Sequence, residues 1–429
     1  MILLRQNIED YNNDFRVSLQ AFYGGERIVI PEIFDRKPEL AGEVDRVFAA
    51  DVTDDGIAIR MYEVTNGLDE LESPVCSAHV DVAGNCHDKV AVRNPLKLAI
   101  YEMLSDYTGR KLPWGSLTGI RPTKIAVACM EDGLSEDDIV AHYQEVYGTS
   151  RDKAELAVAV AGREKKIIES VAEEDEYCLY IGIPFCPTRC LYCSFTSYPI
   201  AVYRDKVDTY LDALEREMKF VADAYRNKRL ISVYVGGGTP SSISAEQMDR
   251  LCSMIRDNFD MNCVREFTIE AGRPDSTTFD KLEVMKRYGV SRISINPQTM
   301  NDETLKTIGR SHTSEQTVKA MEYARKAGFY NINMDLIVGL PGEDTAAVER
   351  TLDQIKALAP ESLTVHTLAI KRAANLNIQM DRYRDTLRTD IDSQLAAVTN
   401  AAKDLGLFPY YLYRQKNMTG NLENVGYSK

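Results

Sequence analysis

Strands and helices alternate through most of the second half of the chain, and this pattern constrains the fold more than any other feature. From about Cys178 onward, short apolar runs are separated by segments with apolar residues at helical spacing. The predicted strands are CLYIGIPF, ISVYVGG, EFTIEAG, RISINPQ, NINMDLIVGL and SLTVHTLAI. The predicted helices between them are Val202–Tyr225, Ser244–Asp257, Thr277–Tyr288, Ser314–Ala327 and Thr345–Ala357. This α/β alternation predicts βα units around a parallel sheet, either doubly wound or curved into a partial barrel.

Polar and glycine residues lie at or near the carboxyl ends of these predicted strands. Cys186 follows the first strand, the run Gly236–Gly238 ends the second, Glu270 lies in the third and Gln298 ends the fourth. In βα barrels the chemistry gathers at the carboxyl edge of the sheet. The sequence therefore predicts a functional site at that edge.

Three of the nine cysteines lie within eight residues, as Cys186, Cys190 and Cys193 in the run CPTRCLYC. Thiolates suit zinc or iron–sulfur clusters. Structural zinc sites usually have a second cysteine pair or nearby histidines, which this region lacks. Three thiolates on a 4Fe–4S cluster leave one iron open to an outside ligand, such as the amino and carboxylate groups of S-adenosylmethionine (SAM). The alternative is a set of buried or zinc-bound cysteines.

The first half of the chain has a different character. The runs RVSLQAFY, RVFAADV and GIAIRMYEV predict strands, and Asp54-Asp55-Gly56 predicts a hairpin turn between the last two. Helical spacing follows in LKLAIYEMLSDY and over 153–172. The only tryptophan, Trp114, lies between these helices in LPWGSLTGIRPTKIA. We therefore predict a β-rich domain over 1–92, a helical linker region over 93–175, the βα domain over 176–372 and a C-terminal segment over 373–429.

Composition excludes several classes of protein. The net charge of −14 argues against nonspecific nucleic-acid binding, which needs a basic surface. No apolar run has the length of a membrane span, and the N-terminus becomes polar too early for a signal peptide. We expect a cytoplasmic protein without nucleic-acid or membrane partners.

The cysteine spacing, with Tyr192 before the last cysteine and a strand before the first, is similar to the radical SAM signature. The phrases YIGIPFCPTRCLYCSF, YVGGGTPS, NPQTMNDETLKTIGR and NINMDLIVGLPGE resemble the oxygen-independent coproporphyrinogen III oxidase (coproporphyrinogen dehydrogenase) family. The phrases LPWGSLTGIRPTKIA and PYYLYRQKNMTGNLENVGY resemble the branch of this family found in Gram-positive anaerobes. The resemblance implies a partial (β/α)6 radical SAM barrel with an N-terminal α+β domain. It also implies a domain that continues beyond Lys429.

The same resemblance implies a set of site residues. Cys186, Cys190 and Cys193 would hold a 4Fe–4S cluster. The positions that match SAM-binding residues of the family are Tyr180, Gly236, Gly237, Gly238, Thr239, Glu270, Gln298, Arg310 and Asp335. Of these, Tyr180 and Glu270 are expected to act in catalysis, and the family uses in some cases a second SAM. Independently of the resemblance, Glu270 and Asp335 interrupt apolar strands, where a carboxylate is costly unless it is paired.

The implied activity is oxidative decarboxylation of coproporphyrinogen III to protoporphyrinogen IX without oxygen, in haem biosynthesis, through a 5′-deoxyadenosyl radical. The partners would be a tetrapyrrole substrate and an unidentified one-electron donor. The chain departs from the bacterial oxidase at Phe195, where that enzyme has a fourth cysteine, and at Gly182, where it has a histidine. Two alternatives stay open: a haem chaperone with the same fold, and another radical SAM enzyme that modifies a tetrapyrrole, such as one that opens the haem ring.

Several further residues have two interpretations. Arg121 and Lys124 are candidates for contact with substrate carboxylates, and Arg414 and Lys416 are expected either to contact substrate carboxylates or to lie in solvent. The tail tyrosines Tyr410, Tyr411 and Tyr413 are expected either to pack in a core or to form a wall of the substrate site.

Overall fold

A computed structural model describes the chain except for residues 25, 54–55, 83–85, 120, 172–173, 388–389 and 415–421. Contacts divide it into two units. The first comprises residues 1–162 with 412–423, and the second comprises residues 163–411 with 424–429. The division into four segments stays a prediction.

The described part of the first unit contains a mixed five-stranded sheet in the order β2-β1-β3-β4-β5. Its strands are β1 (Ile2–Gln6), β2 (Ile28–Val29), β3 (Arg46–Thr53), β4 (Gly56–Glu63) and β5 (Cys76–Asp81). The predicted strands RVFAADV and GIAIRMYEV are confirmed as β3 and β4, which pair antiparallel from Arg46 opposite Glu63 to Thr53 opposite Gly56. Asp54 and Asp55 of the predicted turn lie outside the described residues.

The helices that precede the second sheet are α1 (Asn12–Phe22), α2 (Pro31–Phe34), α3 (Lys89–Thr108), α4 (Thr123–Glu131), α5 (Glu136–Tyr147) and α6 (Arg151–Val171). The prediction of a strand for RVSLQAFY is wrong, because this run lies in α1 and in the residue after it. Phe15, Leu19 and Phe22 are buried and are spaced by four and three residues, which places them on one helical face. These side chains join the core between α1, α3 and the sheet. Burial of this face therefore decides the structure of the segment.

A second core of this unit surrounds Trp114, which is completely buried. The indole Nε1 donates a hydrogen bond of 2.7 Å to Oε2 of Glu423. The other carboxylate oxygen of Glu423 accepts a bond of 2.6 Å from Nζ of Lys153. The guanidinium of Arg414 lies 5.2 Å from the centre of the indole ring and donates to the carbonyl of Leu117 at 2.8 Å. Arg414 is therefore buried, and the expectation of solvent exposure is wrong for it, while contact with a substrate carboxylate stays a prediction; Lys416 lies outside the described residues.

The second unit is built on a sheet that has eight strands within the described residues. Its strands are β6 (Glu176–Ile183), β9 (Arg229–Gly237), β10 (Glu266–Gly272), β11 (Arg292–Ile295), β12 (Ile332–Val338), β13 (Ser362–Thr367), β14 (Phe408–Tyr413) and β15 (Asn424–Ser428). The two-residue strands β7 (Phe185–Cys186) and β8 (Tyr198–Pro199) pair separately with each other. From β6 through β9 to β13 the strands are parallel and lie side by side in sequence order, and β15 then pairs antiparallel with β13. This order confirms the predicted fold class, a partial (β/α)6 barrel together with an N-terminal α+β unit.

Five connecting helices agree with the predicted segments, with ends shifted by a few residues: α8 (Val207–Ala224), α9 (Ala245–Asn258), α10 (Phe279–Arg287), α12 (Ser314–Lys326) and α13 (Thr345–Leu358). The described part of this unit also contains α7 (Ile200–Tyr203), α11 (Asp302–Thr307), α14 (Asn375–Ile378), α15 (Met380–Tyr383) and α16 (Ile391–Asp404). Two begin with a complete capping box, Ser244 with Gln247 at α9 and Thr313 with Gln316 at α12. Among the described residues, none of the helices is both long enough and apolar enough to cross a lipid bilayer.

The parallel register sorts the side chains of the second sheet onto two faces. Val233, Val235, Ile269 and Ile293 are fully buried on one face. Residues that alternate with them lie on the other face, called here the inner face. On the inner face the register aligns Tyr180 with Tyr234, Tyr234 with Thr268, and Thr268 with Arg292. The inner face is therefore polar and aromatic along several neighbouring strands.

Candidate active site

The three clustered cysteines lie on a loop that follows the carboxyl end of β6. Cys190 is buried, while Cys186 and Cys193 are partly buried. The loop is held by hydrogen bonds from Leu191 N to Ile308 O (2.9 Å), from Thr188 Oγ1 to Gly309 O (2.8 Å) and from Arg189 Nη2 to Ala373 O (2.9 Å). These anchors lie after α11 and after β13. The structure therefore brings the predicted cluster ligands to the carboxyl edge of the sheet.

The environment of the thiols fits a cluster that is bound by sulfur. Burial raises the pKa of the Cys186 thiol and of the Cys193 thiol, which favours the protonated form, so the positive charge of bound iron would be needed to hold these sulfurs as thiolates. Over the described ranges of the chain, no three His, Cys, Asp or Glu side chains are placed to share a single metal ion. In a 4Fe–4S cluster each thiolate binds a different iron, so its sulfurs lie farther apart than around one zinc ion. Three soft donors of this kind fit the cluster.

The glycine run at the end of β9 packs directly against the cysteine loop. Gly238 N donates to Ile183 O at 2.7 Å, and Thr239 N donates to Phe185 O at 2.8 Å. A Cβ atom on Gly238 would lie 2.7 Å from Phe185 O, 2.9 Å from Ile183 O and 3.0 Å from the Cys186 sulfur. No side chain fits at these distances, so glycine is required here by the fold of the loop as well as by any ligand.

A group of buried polar atoms lies next to the carboxyl end of β11 and has no protein partner in the described residues. It consists of Ser294 Oγ, Asn296 Oδ1 and Arg310 Nε, and the ring of His312 lies near Arg310. Arg310 is 8% exposed and donates from Nη1 to the carbonyl of Asn296 at 2.5 Å. Buried polar groups normally find partners, so such a group indicates a place for a polar ligand. These atoms are consistent with a bound amino acid or nucleotide.

Gln298 follows in a left-handed backbone conformation with φ of 71°. A non-glycine residue rarely adopts this conformation, and such strain concentrates at functional sites. Two bonds of 2.9 Å hold it, from Gln298 N to Asp335 O and from Ile337 N to Gln298 O. The adjacent Asp335 carboxylate accepts a bond of 2.7 Å from Asn333 Nδ2. Gln298 and Asp335 are thus neighbours at the carboxyl edge.

Glu270 lies on the inner face beneath the glycine run. Its Oε1 accepts a hydrogen bond of 2.5 Å from the hydroxyl of Tyr234. Burial raises the pKa of Glu270 to about 7; the nearby Asp335 adds to the rise and the Tyr234 bond opposes it. The Tyr234 ring is stacked on that of Tyr180, with centroids 5.8 Å apart and planes 10° apart. Glu270 therefore has a carboxyl that can hold or release a proton near neutral pH, beside an aromatic pair.

The predicted site residues are thus found along one edge and its inner face, whereas several further residues of this site were not predicted. Those that the sequence analysis missed are Tyr234, Asn296 and His312. Tyr234 places a hydroxyl between two valines of β9, which was an available signal, and Asn296 is the first residue after β11. Arg121 and Lys124 are exposed, and their contact with substrate carboxylates stays a prediction.

Comparison with known proteins assigns the family. The model of the radical SAM superfamily matches residues 180–355. The oxygen-independent coproporphyrinogen-III oxidase-like protein HemZ of Bacillus subtilis is 42% identical over 341 residues, which are 79% of this chain and 68% of HemZ. The chain belongs to the radical SAM superfamily, in this oxidase-like family. The predicted family and its Gram-positive branch are confirmed.

Other relatives cover less of the chain. The haem chaperone HemW of Bacillus subtilis is 37% identical over 196 residues, 45% of this chain and 50% of HemW. The oxygen-independent coproporphyrinogen III oxidase of Escherichia coli is 32% identical over 208 residues, 48% of this chain and 45% of that enzyme. The solved structure of coproporphyrinogen III oxidase (HemN) from Escherichia coli aligns with a TM-score of 0.49 and 28% identity, over 57% of this chain and 56% of that one. The chain spans about half the length of these two relatives, and the family as a whole has haem-related roles.

Membership of the superfamily confirms the predicted cofactors, a 4Fe–4S cluster and SAM. The residues that hold them in this chain stay a proposal, supported by the thiol loop, the glycine run and the buried polar atoms described above. The three thiols fit the cluster, and the unpartnered buried polar atoms fit SAM.

Gly238→Ala is expected to weaken SAM binding about tenfold and to lower the iron content after anaerobic reconstitution. The added methyl group must displace two carbonyl oxygens and the Cys186 sulfur, and such overpacking costs about 1–3 kcal/mol. Gly182→Ala is the matched control on β6, because its Cβ would meet nothing closer than 3.8 Å. Equal iron content and SAM affinity in the two variants would contradict the close packing.

Proposed function

We propose that the chain catalyses the oxygen-independent oxidative decarboxylation of coproporphyrinogen III to protoporphyrinogen IX. The observation that carries the proposal is the meeting of the cysteine loop with the glycine run above a polar inner face. A 42% identity to an oxidase-like protein over 79% of the chain supports the same substrate class. The substrate is proposed to enter along the inner face, where Tyr180 is 63% exposed.

Within this proposal, each group of residues has a distinct task. Cys186, Cys190 and Cys193 hold the cluster. The guanidinium of Arg310 binds the carboxylate of SAM, since a planar fork suits a carboxylate. The remaining SAM contacts are assigned to the backbone of Gly236, Gly237, Gly238 and Thr239, whose carbonyl oxygens can accept from the amino group of SAM, and to the side chains of Gln298 and Asp335.

When bound, the reduced cluster and SAM supply the one-electron chemistry that removes a hydrogen atom from a substrate propionate. The protein positions the reactants and keeps other reactants out. Glu270 is close to Tyr234, and with a pKa of about 7 its carboxyl can hold a proton or accept one from a bound group. The ring of Tyr180 is stacked on that of Tyr234 and so lies beside Glu270 on the inner face. The electron comes from a one-electron donor that we propose as a partner of the chain.

Turnover by anaerobically reconstituted protein tests the function. With SAM, a one-electron reductant and coproporphyrinogen III, we expect vinyl-containing product, carbon dioxide and 5′-deoxyadenosine. Omission of the reductant should stop all three. If substrate is present and neither vinyl product nor 5′-deoxyadenosine forms, the assignment is wrong.

A haem chaperone is the second candidate. It is favoured by the 37% identity to HemW and by Phe195, which stands 71% exposed where the bacterial oxidase has a fourth cysteine. A chaperone would bind haem stoichiometrically and would not consume SAM in the presence of coproporphyrinogen III. Measuring haem binding and 5′-deoxyadenosine formation on the same preparation separates the two candidates.

A further inference from the structure

Arg292 places a guanidinium on the inner face, away from the cysteine loop. It lies at the start of β11, in the same row as Tyr234 and Thr268, two strand residues before Ser294. Two residues along a strand correspond to about 7 Å. The guanidinium therefore lies deeper along the inner face than the carboxyl edge where the cofactor residues gather.

The guanidinium of Arg292 contacts Tyr410 and Glu266 only at long distances. Nη2 donates to the hydroxyl of Tyr410 at 3.4 Å, and Nη1 lies 3.7 Å from Oε2 of Glu266, beyond hydrogen-bond length. The side chain of Arg292 is 17% exposed and that of Glu266 is 41% exposed. An arginine has five N–H donors, and a carboxylate accepts two of them side by side. Arg292 thus keeps donors for an additional acid.

Packing of the Tyr410 ring over a glycine of the neighbouring strand brings its hydroxyl to Arg292. Its ring lies against Gly426 of β15, where a Cβ atom would meet Tyr410 Cε1 at 3.1 Å. Gly426 is paired with Thr364, so a Cβ atom on Gly426 would point to the same face as the Thr364 side chain. The hydroxyl of Thr364 donates to Oδ1 of Asn333, which lies on the inner face, and the Tyr410 ring therefore lies on the inner face too. Tyr410 therefore reaches across the inner face, and its hydroxyl offers a second donor beside Arg292.

An aromatic surface adjoins this pair of donors. Tyr234 neighbours Thr268, which neighbours Arg292, and the stacked rings of Tyr180 and Tyr234 are 63% and 37% exposed. Exposed flat rings of this kind pack against aromatic rings of a ligand. An aromatic surface next to an arginine and a hydroxyl suits a pyrrole ring that bears a carboxylate.

We propose that Arg292 and Tyr410 form a subsite that binds a propionate carboxylate of the tetrapyrrole substrate, one remote from the reacting propionate. The proposal rests on the proposed function for the identity of the substrate. Glu266 competes with the ligand for Arg292, so the subsite selects a ligand that brings a carboxylate of its own. Its role is to fix the orientation of the macrocycle against the carboxyl edge.

Binding of two porphyrins to the anaerobic full chain tests the subsite. The probes are coproporphyrin III, with a propionate on every pyrrole, and its tetramethyl ester, in which no carboxylate is free, both followed by fluorescence quenching. Arg292→Gln is expected to weaken binding of coproporphyrin III at least tenfold, about 1.4 kcal/mol, and binding of the ester about threefold or less. SAM affinity should stay within about twofold of the parent protein. Arg287→Gln, which changes an exposed arginine on α10, is the matched control and should alter neither probe.

Three further variants keep the test decisive. Tyr410→Phe should lower the affinity for coproporphyrin III about threefold, and Glu266→Gln should raise that affinity or leave it unchanged. Arg292→Lys keeps the positive charge but loses the planar pair of N–H donors, and it replaces Arg292→Gln in the test if that variant does not fold. It should bind coproporphyrin III more weakly than the parent protein and unfold at the same temperature. Unchanged coproporphyrin III affinity in the folded arginine variants, or an equal loss for both porphyrins, overturns the subsite.

The subsite and the proposed function can fail separately. Discrimination between the two porphyrins that depends on Arg292, without turnover of coproporphyrinogen III, would keep the subsite and reject the activity. Normal turnover of coproporphyrinogen III by the parent protein, together with unchanged porphyrin affinity in Arg292→Gln, would keep the activity and reject the subsite.

Discussion

Cys186→Ala is expected to abolish the 4Fe–4S cluster, so that anaerobically reconstituted protein loses its broad visible absorption and nearly all of its bound iron. Three thiolates are the proposed ligand set, and removing one leaves an iron without its protein ligand. The thiol of Cys186 also contacts the glycine run, with Thr239 Oγ1 at 3.5 Å from its sulfur. SAM cleavage should fall below detection. Iron and sulfide analysis together with the visible spectrum measure the effect.

Cys263→Ala is the matched control for this experiment. Cys263 is an exposed free cysteine outside the loop, so the variant removes a thiol without touching the proposed ligands. It should reconstitute to the same iron content as the parent protein. Full cluster content in Cys186→Ala would contradict the ligand assignment, and a single zinc ion in oxygen-free parent protein would contradict the cluster itself.

Much of the second unit could be predicted because its signals are local. The strands of the βα region alternate with helices at a fixed scale, and the cysteine spacing and glycine run lie within single loops. Parallel strands joined by helices then bring their carboxyl ends to one edge, which explains why Cys186, Gly238 and Gln298 converge. Topology alone was enough to gather these residues.

Other features depend on contacts between distant parts of the chain, and the sequence pattern did not predict them. The run RVSLQAFY has residues suited to a strand, but the burial of Leu19 and Phe22 on one face selects a helix. The bond between Tyr234 and Glu270 joins residues 36 positions apart, and that between Trp114 and Glu423 joins residues 309 apart. Nothing in a local window indicates such partners. For the same reason the antiparallel pairing of the tail strand β15 with β13 was not foreseen.

Arg414 illustrates how a long-range contact changes the meaning of a residue. In the sequence it is one of several basic residues in a polar tail, for which a substrate carboxylate or solvent were the two expectations. In the structure it is 2% exposed, and burial lowers its pKa to about 10, an effect that the nearby Glu423 opposes. Its charge is compensated inside the first unit by the carboxylate that also binds Trp114 and Lys153. The polar hub formed by Trp114, Lys153, Arg414 and Glu423 is therefore structural.

Glu423→Ala is expected to destabilise the first unit by about 3–5 kcal/mol, because it leaves the buried Arg414 and the partly buried Lys153 without their counter-charge. Glu423 is 2% exposed, the Lys153 side chain is 15% exposed, and the indole N–H of Trp114 would lose its acceptor. For a unit of this size the loss corresponds to a fall in Tm of about 10 °C. Thermal unfolding followed by the near-ultraviolet signal of Trp114 measures this unit specifically, since no other tryptophan is present.

Two variants show whether the effect comes from the buried charge. Glu155→Ala removes a carboxylate from an exposed pair with Arg151 on the same helix as Lys153, and such pairs contribute about 0–1 kcal/mol, so its Tm should be nearly unchanged. Glu423→Gln keeps an acceptor for Trp114 but not the charge, and it should lie between Glu423→Ala and the parent protein. A Glu423→Ala protein that unfolds at the parent temperature would mean that the carboxylate does not stabilise the hub. Recovery of most of the lost stability on adding Lys153→Met to Glu423→Ala would identify the uncompensated lysine as the main source of the cost.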